Sequence, residues 1–193
     1  PQPSGRAIPP DDFIYIAEHT GLIRPLSQLV LRQAVAQAAV WHRRGRTMRV
    51  SANLSAPNLS EPTLVREIGD LLAQHDLPPD RLTLEVTESV VMANPHRCVA
   101  ALRQLRGLGI NVAIDDFGTG HSSLAYLTSL PATELKIDRS FVLAMATDPA
   151  AATLVGAIVD LGRNLGFDIV AEGVETQHAA DTLRRIGCEH AQG

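Results

Sequence analysis

Two aspartates, Asp115 and Asp116, stand side by side where the apolar run of residues 111–114 stops, just ahead of Phe117 and a glycine-rich stretch. Neighbouring carboxylates repel, and burying them is costly unless something neutralises them. Polar residues recur at the ends of the other β-rich runs: Asn53 closes "MRVSAN", Glu85 lies in "LTLEV", Lys136 in "ELKID", Glu172 closes "FDIVAE" and Gln192 follows "CEHA". Asn53, Glu85, Asp115 and Asp116 are hard oxygen donors with two or three negative charges. That set suits Mg²⁺ or Mn²⁺ rather than a metal that prefers thiolate or imidazole. One or two such cations would neutralise the aspartate pair, bind phosphate oxygens and activate water. Lys136 would touch the attacking water or stabilise negative charge.

Taken singly, each residue has a plainer reading. Asn53 is a turn former, Glu85 a paired rim charge and Lys136 a solvated one. Asp-Phe-Gly occurs in kinases, but the other kinase motifs are absent. Recurrence at successive strand ends is what argues for a site. The seven histidines show no HxH or HExxH spacing, which argues against zinc.

The elements that must position these residues alternate. Strands are predicted at 48–53, 82–86, 110–114, 134–138 and 167–172, with a sixth beginning in "CEHAQ". A long helix is predicted over 24–44. Ser60, with Pro62 in the first turn, is predicted to open a helix lined by Leu64, Ile68, Leu71 and Leu72. Asn94-Pro95 opens the next, with Cys98, Leu102 and Leu105 inward. A short helix is predicted near 122–129. Asp148-Pro149 opens a helix carrying Leu154, Ala157, Ile158, Leu161 and Leu165, and Thr176 caps the last. This α/β alternation implies a parallel sheet. Periodicity leaves two architectures open, an open doubly wound sheet and a (β/α)₈ barrel, which typically needs eight strands and about 250 residues. In a barrel all seven polar side chains meet at one mouth. In an open sheet only those near the switch point would. Convergence favours the barrel.

At 193 residues, 45% hydrophobic and 20% charged, the chain is ordinary for one globular domain. A net charge of −4 gives no basic footprint for a nucleic acid polymer. Cys98 and Cys188 form no CxxC pair and read as buried thiols in a reducing compartment, with a disulfide between them as the alternative; the domain is expected to be cytoplasmic. No run of about 18 apolar residues is present, and the first ten residues do not read as a signal peptide. Both ends read as cut from a longer, multidomain chain, so residues 1–193 are expected to be one incomplete domain.

These residues and their contexts closely resemble the EAL-domain family of bacterial cyclic di-GMP phosphodiesterases. The resemblance is carried by "GRAIPPDDFIYIAEHTGLI" (5–23), "VSANLS" (50–55), "LTLEVTES" (82–89), "AIDDFGTGHSSL" (113–124), "LKIDRSFV" (135–142), "IVAEGVET" (169–176) and the terminal "QG". It implies a modified (β/α)₈ barrel, truncated at both ends, that hydrolyses one phosphodiester of cyclic di-GMP to linear pGpG with Mg²⁺ or Mn²⁺. It implies that Asn53, Glu85, Asp115 and Asp116 are metal ligands and that Lys136 lies near the nucleophilic water. Glu172 matches a catalytic-site glutamate, and Gln192 a glutamine of the metal-site water network. Glu88 matches a glutamate that tethers the loop after the aspartate pair, and Glu175 a support for Glu172. The loop at 117–124 is implied as a homodimer contact. Flanking sensory or diguanylate cyclase (GGDEF) domains are implied as well, and with them a full-length protein open to membrane tethering. The Glu-Ala-Leu signature is expected just before Pro1, with a phosphate-binding arginine nearby, and a barrel-closing segment after Gly193. His121 stands where the family has tyrosine. The alternative is a catalytically inactive receptor for cyclic di-GMP or a protein-interaction module. Every ligand position inside the chain is filled, which favours the enzyme.

Overall fold

The structure, a computed structural model, describes residues 8–119 and 127–193. The helix predicted near 122–129 lies mostly outside the described residues, as does His121. Two helices come first, α1 (Pro10–Thr20) and α2 (Ile23–Arg43). Then β1 (Val50–Asn53) leads through α3 (Ala56–Leu59) and α4 (Leu64–Gln74) to β2 (Leu82–Thr87). Helices α5 (Glu88–Ala93) and α6 (Pro95–Gly107) precede β3 (Asn111–Phe117). After β4 (Glu134–Ile137) come α7 (Arg139–Ala144) and α8 (Pro149–Asn164). The described chain ends with β5 (Asp168–Glu172), α9 (Gln177–Arg185) and β6 (His190–Gln192).

The six strands form one sheet in the order β1-β2-β3-β4-β5-β6, and every pair is parallel. That order decides between the two architectures. A doubly wound sheet reverses direction at a switch point. Here each strand adds on the same side of the last, and right-handed crossovers then place every helix on one face. The sheet must curl with its other face inward, as in a (β/α) barrel.

Alternation along the strands matches this. Leu82, Leu84, Val86, Val112, Ile114, Leu135, Ile137, Ile169 and Ala171 are buried on the helix side. Burying each large aliphatic side chain contributes about 1.5–3 kcal/mol. The intervening positions, among them Thr83, Glu85, Glu134, Lys136, Asp168, Glu172 and Gln192 with the apolar Ala113 and Val170, face the lumen. Mostly polar groups inside and aliphatic groups outside, under the helices, leave the lumen to chemistry.

Caps agree with the sequence at several starts. The Asp148 carboxylate accepts from Ala150 N–H at 2.8 Å, and Thr176 Oγ1 from Ala179 N–H at 3.1 Å. Two expectations are corrected. Ser60 does not open α4. It closes α3 in a helical conformation, because Pro57 starts a helical turn earlier, and α4 begins only at Leu64. Leu154 is 46% exposed. The buried stripe of α8 is instead Ala151, Val155, Ile158, Val159 and Gly162. Gly162 sets that rotation, since any Cβ there would collide with Ile169 Cδ1. Both cysteines are buried and unpaired. No helix among the described residues is long and apolar enough to cross a membrane.

Candidate active site

Adjacent strand residues ordinarily point to opposite faces, so Asp115 and Asp116 should not meet at one site. A β-bulge makes it possible. Ile114 pairs with Leu135, but the next pair is Phe117 with Ile137, so β3 spends one extra residue. Asp116 takes up the extra residue in a left-handed conformation, φ 53°. Aspartate tolerates that region better than most residues do. Asp115 accepts from Asp116 N–H at 3.1 Å. The bulge returns Phe117 to the apolar side and re-aims Asp116. Asp115, Asp116 and Glu172 then each offer a carboxylate oxygen, all within 4.8 Å of one another.

Lys136 supplies the opposing charge. It is 4% exposed, and its ammonium lies 2.5 Å from Glu172 Oε1, 3.1 Å from Asp115 Oδ1 and 3.2 Å from Glu85 Oε2. Three N–H donors thus meet three carboxylates. Burial alone would pull its pKa down. The hydrogen bond to Glu172 and the charges of Glu85, Asp115 and Glu172 outweigh burial and hold it well above its ordinary value. Lys136 is the only lysine in the chain; the other 16 basic residues are arginines.

The cation does not neutralise everything. Burial pushes the Asp116 pKa up, and the charges of Asp115, Asp138 and Glu172 push it further against the opposing pull of Lys136. Glu134, deeper in the lumen, is likewise raised, first by burial and then by Glu85. The mouth therefore carries more carboxylate than Lys136 can balance. That surplus, with the oxygen cluster, fits a hard divalent cation.

The other predicted residues fall around this centre. Asn53 ends β1 directly opposite Glu85 in register, and Gln192 lies opposite Glu172 on β6; both are exposed. Glu88, the first residue of α5, is 1% exposed, and its Oε2 accepts from Gly118 N–H at 2.8 Å. Glu175 is exposed, three residues after Glu172. Sequence reasoning passed over Asp138 and Glu134. The "KID" strand end carried the signal for Asp138: it follows the lumen residue Lys136 by two. The bulge at Asp116 left no signal beyond the doubled aspartate.

The strictly sequential parallel sheet, with carboxylates and one buried lysine at its C-terminal ends, defines a (β/α)-barrel protein with a cation-type centre at the mouth. The chain belongs to the EAL domain family, whose model matches residues 1–193. It is 44% identical over 192 residues to the bifunctional diguanylate cyclase/cyclic di-GMP phosphodiesterase MucR of Pseudomonas aeruginosa, covering 99% of this chain and 28% of that protein. It is 42% identical over 191 residues to the signaling protein YkoW of Bacillus subtilis, covering 99% of this chain and 24% of that protein. A solved structure described as the PaMucR phosphodiesterase in complex with c-di-GMP superposes with a TM-score of 0.96 at 44% identity, covering 100% of this chain and 78% of that one. The chain thus spans about a quarter of the length of these curated relatives.

Proposed function

We propose that this domain hydrolyses cyclic di-GMP to linear pGpG with Mg²⁺ or Mn²⁺. The observation that carries the reading is the cluster of Asp115, Asp116 and Glu172 oxygens within 4.8 Å of one another, built by the bulge at Asp116 beside the buried Lys136. The relatives' names and the ligand of the solved relative support the choice of substrate.

Asp115, Asp116 and Glu172 would hold one cation, and Glu85 and Asn53, on the neighbouring strands, would bring in a second or complete the first. When bound, a divalent cation supplies charge neutralisation for a phosphodiester and lowers the pKa of a coordinated water. Lys136 is held protonated, so it acts as a hydrogen-bond donor that orients oxygen and stabilises negative charge, not as a base. Glu172 joins the two: it would serve the cation while its Oε1 accepts from Lys136 and fixes that ammonium. In the net reaction a water oxygen bonds to phosphorus, the bond to the 3′-oxygen breaks, and a proton ends on that 3′-oxygen. Gln192, opposite Glu172, orients water from the open side.

The much greater length of the relatives supports a domain within a multidomain signalling protein with sensory or GGDEF neighbours. We read the domain as cytoplasmic, the full protein as open to membrane tethering, and the segment 117–124 as its homodimer contact.

Asp116→Asn tests the reading. It keeps the size and the left-handed preference of residue 116 but removes one charge. Metal-dependent pGpG formation should fall at least tenfold with the fold intact. Unchanged turnover would exclude Asp116 from the centre.

A further inference from the structure

Gly118, at the turn after β3, is gripped from two sides. On one side its N–H donates to Glu88 Oε2 at 2.8 Å. On the other, the ring of Phe141 covers its Cα: a Cβ at 118 would lie 2.7 Å from Phe141 Cε2 and 3.1 Å from Cζ. Gly118 also has φ 102°, open in practice only to glycine. Residue 118 is therefore glycine for two reasons, the backbone angle and the ring.

Phe141 is not a free-floating neighbour. It sits in α7, the helix that β4 feeds directly after Lys136. Its N–H donates to Asp138 O at 3.1 Å, and Asp138 caps the helix and faces Asp116 electrostatically. One continuous, capped segment, β4 through α7, thus carries Lys136, Asp138 and the ring against Gly118. The pinned turn begins two residues after Asp116, whose left-handed conformation has to be held by its surroundings. Thr119 closes the turn, its Oγ1 donating to Asp116 O at 2.9 Å.

We propose that Phe141 is a positioning residue for the proposed cation centre: with Glu88 it forms a two-sided clamp on Gly118 that fixes Asp116. This rests on the proposed function for its kinetic consequence only. The clamp itself is a property of the turn. Phe141 touches no reacting group in this account and acts through Gly118.

The test uses the natural full-length protein and four variants: Phe141→Ala, Phe141→Leu, Glu88→Ala and the Glu88→Ala/Phe141→Ala double. Hydrogen exchange of the peptide spanning 117–119 is read in metal-free protein, where neither cation nor catalysis enters. Both alanine singles should speed exchange there at least tenfold, with exchange in β2 and β5 unchanged. Mn²⁺ affinity, titrated without nucleotide, should weaken about 10–100-fold in each, the usual range for outer-shell partners of a metal site. Because both jaws hold one group, the double variant should be little worse than either single. Phe141→Leu should restore most of the affinity. A further check is a rescue: Gly118→Ala should be severely impaired, and adding Phe141→Ala should recover part of its metal affinity by removing the clash. If Phe141→Ala fails to fold, Phe141→Val takes its place in the exchange and affinity measurements: it keeps an apolar side chain in α7 but is too short to cover Gly118. Wild-type exchange and Mn²⁺ affinity in Phe141→Ala would overturn the clamp, and so would strictly additive effects in the double variant. If the wild-type protein binds Mn²⁺ yet makes no pGpG, the proposed function fails while the clamp stands or falls on exchange and affinity.

Discussion

Lys136 Nζ, buried, and Oε1 of the half-buried Glu172 lie 2.5 Å apart across β4 and β5 at the mouth of the barrel. The same ammonium serves Asp115 and Glu85. In the metal-free domain Lys136 is therefore the counter-ion for carboxylates that would otherwise hold a cation.

Lys136→Met should separate two effects. Removing one partner of a buried ion pair costs about 3–5 kcal/mol, because charge is left uncompensated. The metal-free variant should melt well below the wild type. Its Mn²⁺ affinity should rise, since a competing positive charge is gone, while kcat falls by two orders of magnitude or more. Calorimetric titration and steady-state kinetics check this. A weaker Mn²⁺ affinity at unchanged stability would show that Lys136 does not balance these carboxylates.

Glu134 gives a pH test on a carboxylate that is not itself a proposed cation ligand, although its neighbour Glu85 is. Burial and Glu85 raise its pKa above the ordinary 4.5. The folded state therefore prefers the protonated form. Its contribution to stability is best below about pH 4.5, worsens as pH climbs toward the folded pKa and is constant above it. Metal-free Glu134→Gln should unfold like the wild type near pH 4 and be more stable at pH 7. Denaturant melts at the two values decide. A variant less stable at pH 7 would mean that Glu134 is paired and not merely enclosed.

Gly173 follows Glu172 with φ 68°, and a Cβ there would stand 2.7 Å from Arg139 Cβ. Gly173→Ala should therefore displace the Glu172–Gly173 backbone. We expect a loss of stability of about 1–3 kcal/mol and a fall in kcat larger than any change in KM. Thermal melts with kinetics measure both. A variant with wild-type stability would show that the turn relaxes freely.

Much of the fold was legible because most strands are short apolar runs with a polar residue at or near the end, and each long helix carries a buried stripe. The strand order was not legible, since periodicity is local and order is a property of the whole sheet. The short helices α3, α5 and α7 escaped for a similar reason: four to six residues give too few turns for a stripe. Leu154 misled because hydrophobicity alone did not reveal which face of α8 meets the sheet, where Gly162 leaves no room for a Cβ beside Ile169. At the site, lumen residues announced themselves by parity: Glu85 and Lys136 interrupt apolar strands, and Glu172 closes one. Asp116 did not, because its direction depends on a bulge paired with a strand that lies some twenty residues further along the chain. Glu134 was hidden as well, by its place at the start of a strand, where a charge is unremarkable.

The account's central claim is metal-dependent hydrolysis at this mouth. Its most direct test is pGpG formation from cyclic di-GMP by the natural full-length protein, stripped by chelator and then supplied with Mg²⁺, Mn²⁺ or Ca²⁺. The account predicts no turnover without metal, recovery with Mg²⁺ or Mn²⁺, and none with Ca²⁺, whose longer bonds and higher coordination number suit the compact oxygen cluster poorly. Undiminished pGpG formation in chelator would contradict it.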